Sequence, residues 1–448
     1  MRYRKFILRV LAFLPVLALS IALSPVAAEA KVYIDLAAPA NKRLPIAVQE
    51  FRHMDNAPAG SEEAKQVKEI AEELRNALIS DLNFSDLFSI IPKEAYVEDA
   101  DQSGLTYNET NFSSWRVIGA DTLVKGGFRL DGDTLILEVR FFDCITEKQV
   151  LGKRYVGSVK NPRRVAHYFA DKLYEELTGY PGIFTTRILF VSDRGGNKEV
   201  YMSDFDGANT SRVTRNRSIN LSPQWAPDGA RMLYISYKKG TPALYMLDLR
   251  TGRDTAVSER PGINIAGRFS PDGKRIALTL SGKKSPELHV MELDSFKDTQ
   301  LTDNYAIDVS PTWSPDGKKL AFVSDISGNP HIFVIDLPTR NVKRLTFSGA
   351  YNSSPAWSPD GKLIAYARSD AGRFQIWVMR TDGSAPLQLT FEGDNRSPSW
   401  SPDGRYIIYS TTSRGKSSLR IMRSDGAGAR TISTGAGNEK SPVWSPYL

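Results

Sequence analysis

Trp313-Ser314-Pro315-Asp316-Gly317 is one copy of a phrase that recurs along the second half of the chain. The others are Trp225-Ala226-Pro227-Asp228-Gly229, Phe269-Ser270-Pro271-Asp272-Gly273, Trp357-Ser358-Pro359-Asp360-Gly361 and Trp400-Ser401-Pro402-Asp403-Gly404, with a clipped Trp444-Ser445-Pro446. Successive aromatics are 44, 44, 44, 43 and 44 residues apart. A fixed period in the low forties is that of a four-stranded propeller blade. The phrase suits a type I turn, with Ser first, Pro fixing φ at the second corner and Gly fourth. Proline also ends the strand before it, because it has no N–H for the ladder.

Each turn leads into an apolar strand, such as residues 231–236 or 319–324, then into a third strand such as 243–248 or 374–379. A short fourth strand ends near Leu301-Thr302, Leu345-Thr346 or Leu389-Thr390. Residues 187–214 match strands two to four only, and residues 441–446 match a first strand only. Joined, they make a sixth blade and leave no long unpaired edge. The expected architecture is therefore a small N-terminal α/β domain followed by an all-β six-bladed β-propeller closed by the C-terminal strand. An open solenoid is the alternative.

The expected domains are a cleaved signal peptide at 1–30, an α/β domain at 31–180 and the propeller at 181–448. Residues 1–30 have a basic start, an apolar run at 10–23, and Ala28-Glu29-Ala30 as the small-x-small site for cleavage between Ala30 and Lys31. That run is shorter than the roughly 20 residues of a membrane-spanning helix. In the α/β part, residues 44–51 read as a strand and 62–82 as a helix with one apolar face. Residues 122–130 and 134–143 form a hairpin about Asp131-Gly132, and 150–159 adds a strand. A second helix starts at Asn161-Pro162 and stops at Gly179.

The formal charge of +7 falls to +4 without residues 1–30, too mild to argue for nucleic acid. Residues 31–180 carry 19 Lys and Arg against 24 Asp and Glu, and 181–448 carry 35 against 26. The propeller's partner is thus expected to be acidic. Catalytic signatures are lacking: there is no Gly-x-Ser-x-Gly elbow, no His-Glu-x-x-His and no cysteine pair for zinc. The lone Cys144 and the four histidines (53, 167, 289, 331) read as packing or surface residues, and Asp131-Gly132-Asp133 and Asp204-Phe205-Asp206-Gly207 as hairpin turns rather than calcium loops. No cofactor and no metal are expected, and the protein reads as a monomer and not an enzyme.

With strands counted from the axis outward, the fourth-to-first and second-to-third connections share one face, and the Ser-Pro-Asp-Gly turns lie on the other. The first face then presents loops at Ile219-Asn220, Ile263-Asn264, Ile307-Asp308, Tyr351-Asn352, Asn395-Arg396 and Asn438-Glu439. Around them Arg194, Lys238, Lys239, Lys283, Lys284, Arg373, Arg414 and Lys416 would form a basic rim.

The layout resembles the TolB family of periplasmic Tol–Pal proteins. The resemblance rests on the signal, the small α/β domain, the joint from Leu177-Thr178-Gly179 to Thr186-Arg187-Ile188, the repeated Ser-Pro-x-Trp-Ser-Pro-Asp-Gly pattern and the ending Trp444-Ser445-Pro446-Tyr447-Leu448. It implies a non-enzymatic envelope adaptor serving outer-membrane integrity and cell division. The lipoprotein Pal would bind the propeller mouth at Asn220, Ile263, Asn264, Asp308, Asn352, Arg396 and Glu439 with Lys283 and Lys284. The C-terminal domain of TolA would bind the mature N-terminus, Lys31, Val32, Tyr33, Ile34, Asp35 and Leu36, whose alternation suits strand addition. Three departures from the family pattern stand out: Phe269 in place of Trp, Ala226 in place of Ser, and an apolar Ile263 where relatives can carry His. The alternative function is a periplasmic propeller that binds or cleaves a glycan or peptide.

Overall fold

The structure, a computed structural model, describes residues 43–55, 62–99, 103–281, 285–433 and 435–448. The expected signal segment, its cleavage site at Ala30 and Lys31, the segment Lys31 to Leu36, and Lys283 and Lys284 lie outside these residues.

The N-terminal unit is one mixed sheet with helices against it. Its strands are β1 (Leu44–Val48), β2 (Arg52–His53), β3 (Phe88–Ile90), β4 (Thr122–Asp131), β5 (Thr134–Asp143) and β6 (Lys148–Ser158). The order is β3-β1-β4-β5-β6, with β1 parallel to β3 and β4, and β4, β5 and β6 antiparallel in turn. Helices α1 (Glu62–Phe84) and α3 (Pro162–Thr178) supply the apolar faces that cover the core, and α2 (Phe112–Val117) buries Trp115 at one end. Helix α3 begins and ends as its sequence dictates. The Asn161 side chain accepts from Arg164 N at 3.2 Å, Pro162 takes the first turn, and Gly179 closes the helix at φ 76°. Burial pushes the pKa of the buried Cys144 up to about 12, which removes it as a nucleophile at neutral pH.

The second unit is six four-stranded antiparallel sheets. Blade 1 runs Glu439–Trp444, Arg187–Gly195, Asn197–Asp204, Ser211–Arg212 from the inside outward. Its inner strand therefore comes from the chain's last residues, as the split repeat required. Lys440 pairs with Val191 and Trp444 with Ile188, while Ser445 N donates to Arg187 O at 2.8 Å. The inner strands of blades 2 to 6 are Asn220–Trp225, Asn264–Phe269, Asp308–Trp313, Tyr351–Trp357 and Asp394–Trp400.

Two devices repeat around the ring. The first is the Ser-Pro-Asp-Gly turn. In blades 3 to 6, Gly N donates to the Ser carbonyl at 2.9 Å, and the Ser hydroxyl both donates to the Asp carboxylate and accepts from the amide five residues on. The glycine sits at φ 67–72° there, a region costly for any side chain. In blade 2, where Ala226 has no hydroxyl, Asp228 Oδ1 takes the amides of Ala230 and Arg231 instead. The second device is a bulge in each inner strand, where Ser222, Ala266, Ser310, Ser354, Ser397 and Ser441 all lie at φ 51–59° and the pairing register slips. The phrase's tryptophans fill space between blades and also bridge them. Trp225, Trp313 and Trp400 donate their indole N–H to the carbonyls of Val443, Arg268 and Ala356 on the preceding inner strand. Phe269 keeps the bulk and loses that bond.

The α/β unit docks on the turn-bearing face of the propeller, over blades 1 and 6. Phe84, at the end of α1, lies edge-on to Phe205 at 4.9 Å, meets Tyr406 at 4.6 Å, and is covered by the Arg430 guanidinium at 3.5 Å. Tyr406 OH donates to Phe84 O at 3.1 Å, and Arg163 pairs with Asp206. Asp171 of α3 accepts the Phe184 and Thr185 amides and so fixes the connection. One apolar core runs continuously from α1 and α3 through Phe184 into blades 1 and 6.

Beneath this contact, His167 Nδ1 meets Asp81 Oδ2 at 2.7 Å, both side chains fully buried, beside Phe205, Asp206 and Arg163. Burial, against the pull of His167, raises Asp81 to about 7. The Asp81 carboxylate, outweighing the imidazole's own desolvation, raises His167. The folded chain therefore keeps a proton here at pH values where the unfolded chain, with His near 6.5, has released it. Both folded values lie above the unfolded ones, so the resulting stability is complete only below about pH 4, the unfolded aspartate value, and is lost as pH rises through the folded values. Thermal melts should show this pair's contribution to the melting temperature falling from about pH 4 upward through the folded values near pH 7, and Asp81→Asn should flatten that slope. An equal slope in the variant would contradict the assignment.

Candidate functional mouth of the propeller

The face opposite the docked α/β unit is built from the fourth-to-first and second-to-third connections, and three kinds of residue meet there. The first is a buried polar ring at the start of each inner strand: Asn220, Asn264, Asp308, Asn352, Asn395 and Glu439. Each holds the loop that leads into its blade. Asn220 Nδ2 donates to Glu199 Oε2 and to Asn216 Oδ1, both at 2.8 Å. Asn264 accepts from Ser258 Oγ at 2.6 Å and Arg260 N at 3.1 Å. Asn304 donates to Asp308 at 2.8 Å, and Asn395 donates to Gln375 Oε1 at 2.9 Å.

The threonine of each Leu-Thr pair, and of Val213-Thr214 in blade 1, completes the unit. Its hydroxyl accepts from a third-strand amide, as Thr214 does from Val200, Thr302 from Leu288, Thr346 from Ile332 and Thr390 from Ile376, at 2.8–3.1 Å. It also meets the side chain that begins that strand, namely Glu199, Glu287, His331 or Gln375. Most of these polar groups are satisfied inside the protein and lock blade to blade, although Asp308 Oδ1 and Asn352 Oδ1 have no partner among the described residues.

This corrects the sequence reading of five mouth residues. Asn220, Asn264, Asp308, Asn352 and Glu439 are buried and present no side chain to a partner. The bulge explains why, since it turns the inner strand so that the residue two before it points into the blade seam. Arg396 lies one residue past the ring position held by Asn395. It is exposed, stacks over Phe374 at 3.9 Å and pairs with Asp394 at 2.9 Å. Ile263 is half-buried at the loop end.

The second group, the expected basic rim, is largely answered by acids. Arg194 pairs with the buried Glu439, Lys238 with Asp254, and Lys239 with Glu259 at 2.8 Å. Lys416 donates to Gly435 O at 3.0 Å. Arg373 and Arg414 are exposed.

The third group is apolar, and its three most exposed members are not among the loop residues singled out from the sequence. Tyr305, Phe347 and Phe391 are 85%, 74% and 75% exposed, and all three belong to fourth-to-first loops. Ile219, Ile307, Ile326 and Tyr351 are exposed on the same face. Large apolar side chains so open to water, gathered on one face, mark an interaction surface. The signal was present in the sequence as Leu345-Thr346-Phe347 and Leu389-Thr390-Phe391, an aromatic directly after the strand-ending pair. Arg344 covers the Phe347 ring at 5.0 Å, which holds it in place on the rim.

Among the described residues, no three His, Cys, Asp or Glu gather where they could hold a metal ion. No helix among them is long and apolar enough to cross a membrane.

Comparison with known proteins fits this geometry. A family model described as the TolB beta propeller domain matches residues 174–448, and one described as the TolB amino-terminal domain matches 32–150. The Tol-Pal system protein TolB of Desulfosudis oleivorans is 39% identical over 197 residues, covering 44% of this chain and 43% of that protein. That of Syntrophotalea carbinolica is 41% identical over 217 residues, 48% of each. The chain thus spans about half the length of the curated relatives it matches. The crystal structure of TolB from Acinetobacter baumannii superposes with a TM-score of 0.76 at 28% identity, over 91% of this chain and 98% of that one. With both of its units matched in sequence and the whole arrangement matched in shape, the chain belongs to the TolB family.

Proposed function

We propose that this protein is a non-enzymatic periplasmic adaptor of the Tol–Pal assembly, supporting outer-membrane integrity and envelope constriction at division. Its propeller mouth receives the lipoprotein Pal, and its mature N-terminal segment, Lys31 to Leu36, engages the C-terminal domain of TolA. Export, signalled by residues 1–30, places it between the two membranes. The family relatives carry the name Tol-Pal system protein.

The observation that carries the reading is the apolar belt of Tyr305, Phe347 and Phe391 on the face the α/β unit leaves open. Aromatic anchors of this kind supply most of the binding energy at protein interfaces, with neutralised charge pairs at the rim. Specificity then rests on shape around blades 3 to 6 more than on a net positive field. The mature N-terminal segment, Lys31 to Leu36, serves a different partner. A change in its placement on Pal binding would couple the two.

Calorimetric titration of Pal into the mature protein tests this. Tyr305→Ala, Phe347→Ala and Phe391→Ala combined should weaken binding by about 100-fold or more, with the melting temperature unchanged. Deleting residues 31–36 should abolish TolA capture and leave Pal binding measurable. Wild-type affinity for Pal in the triple variant would overturn the assignment of the mouth.

A further inference from the structure

The axis of the propeller holds a cavity of about 450 Å³, running from the ring of left-handed serines to the prolines of the Ser-Pro-Asp-Gly turns. Its wall is unusual in charge. Serine and threonine hydroxyls, prolines and indoles make up most of it, and among the described residues no carboxylate lines it and Arg268 is the one charged residue that does. Arg268 stands on the inner strand of blade 3, opposite Ala277 in the ladder. The matching positions on the flanking blades are Gln224 and Thr312, which line the same space. Among the described residues, no carboxylate is within ion-pair distance of its guanidinium, whereas Arg194, Arg212 and Arg163 all have acids. Trp357, on the wall, has an indole N–H without a partner among the described residues, while the indoles of Trp225, Trp313, Trp400 and Trp444 are all bonded.

Arg268 is half-buried on the channel wall, and a guanidinium partly withdrawn from water with no counter-charge gains from an anion that joins it. Burial alone lowers Arg268 to about 10, which leaves it charged at neutral pH. Its planar fork matches a carboxylate bidentately, and hydroxyls and an amide around it can take the remaining lone pairs.

We infer that the propeller channel is a binding site for a small carboxylate, clasped by Arg268 with help from Gln224, Thr312 and the serine ring. The volume lies within the range of small-ligand pockets. The site is on the axis and does not include the mouth aromatics, so it stands or falls apart from the docking reading above.

The test uses the mature full chain and trifluoroacetate as a fluorine NMR probe at fixed ionic strength. Wild type should broaden the probe signal, acetate should reverse the broadening, and trifluoroethanol of equal size should show none. Competition by a tripeptide acid but not by its amide would assign the carboxylate to a peptide end; competition by acetate alone would assign it to a free metabolite-sized anion. Arg268→Gln should weaken binding at least about tenfold, the loss of one charge-assisted pair, and Arg268→Lys should retain part of it with native melting behaviour. No broadening in wild type, or equal broadening in Arg268→Gln, would overturn the inference.

Discussion

The pairing of Glu439–Trp444 with Arg187–Gly195 is the constraint on which the rest depends. It joins residues some 250 positions apart and turns a row of five complete sheets and two fragments into a ring. Loop-closure entropy grows only logarithmically with length, so a seam of strand pairing and buried apolar area readily outweighs it. Trp444 shows how tightly the seam is made. It is buried, stacks near Tyr406, and donates from its indole to Thr186 Oγ1 at 2.8 Å. Because the same residues meet the core shared with α1 and α3, closing the ring also seats the α/β unit. That seating decides which mouth remains open.

The division of labour between the two faces follows. On one, turns made rigid by Ser, Pro, Asp and Gly meet the α/β unit around Phe84, Tyr406 and Arg430. On the other, loops pinned by buried asparagines and threonines hold aromatic side chains out into water. An exposed ring is useful to a partner only if it is held still, and Arg344 over Phe347 and the Thr346 bond behind it do that. Between the faces, the channel wall holds, among the described residues, one cation without an acid.

Much of the fold was legible in the sequence because its determinants are local. Pro and Gly at fixed offsets spell a turn, Asn161-Pro162 and Gly179 mark the ends of a helix, and a 44-residue period fixes the unit that is copied. The short elements escaped notice. Helix α2 spans six residues, too few for a helical period to show, and β3 has three. The candidate site was less legible because its determinants are not local. Asn220 looks like any polar loop residue until the bulge at Ser222 and the neighbouring Glu199 bury it. Lys238 and Lys239 look like free cations until Asp254 and Glu259 arrive from the two ends of the blade's fourth strand. Phe347 and Phe391 read as strand ends until the fourth strand is seen to stop short of them. Arg268 sat at the position before Phe269 in plain view, but only the ring brings it to a channel wall that, among the described residues, holds no carboxylate.

Hydrogen exchange of the seam amides tests ring closure most directly. Lys440 and Ser445 on one strand, with Leu189 and Val191 on the other, should exchange as slowly as the amides of the inner pair in blade 4, Val309 and Val323, through unfolding of the whole propeller. Fast exchange at the seam, with blade 4 still protected, would mean that the last strand is not what closes the ring.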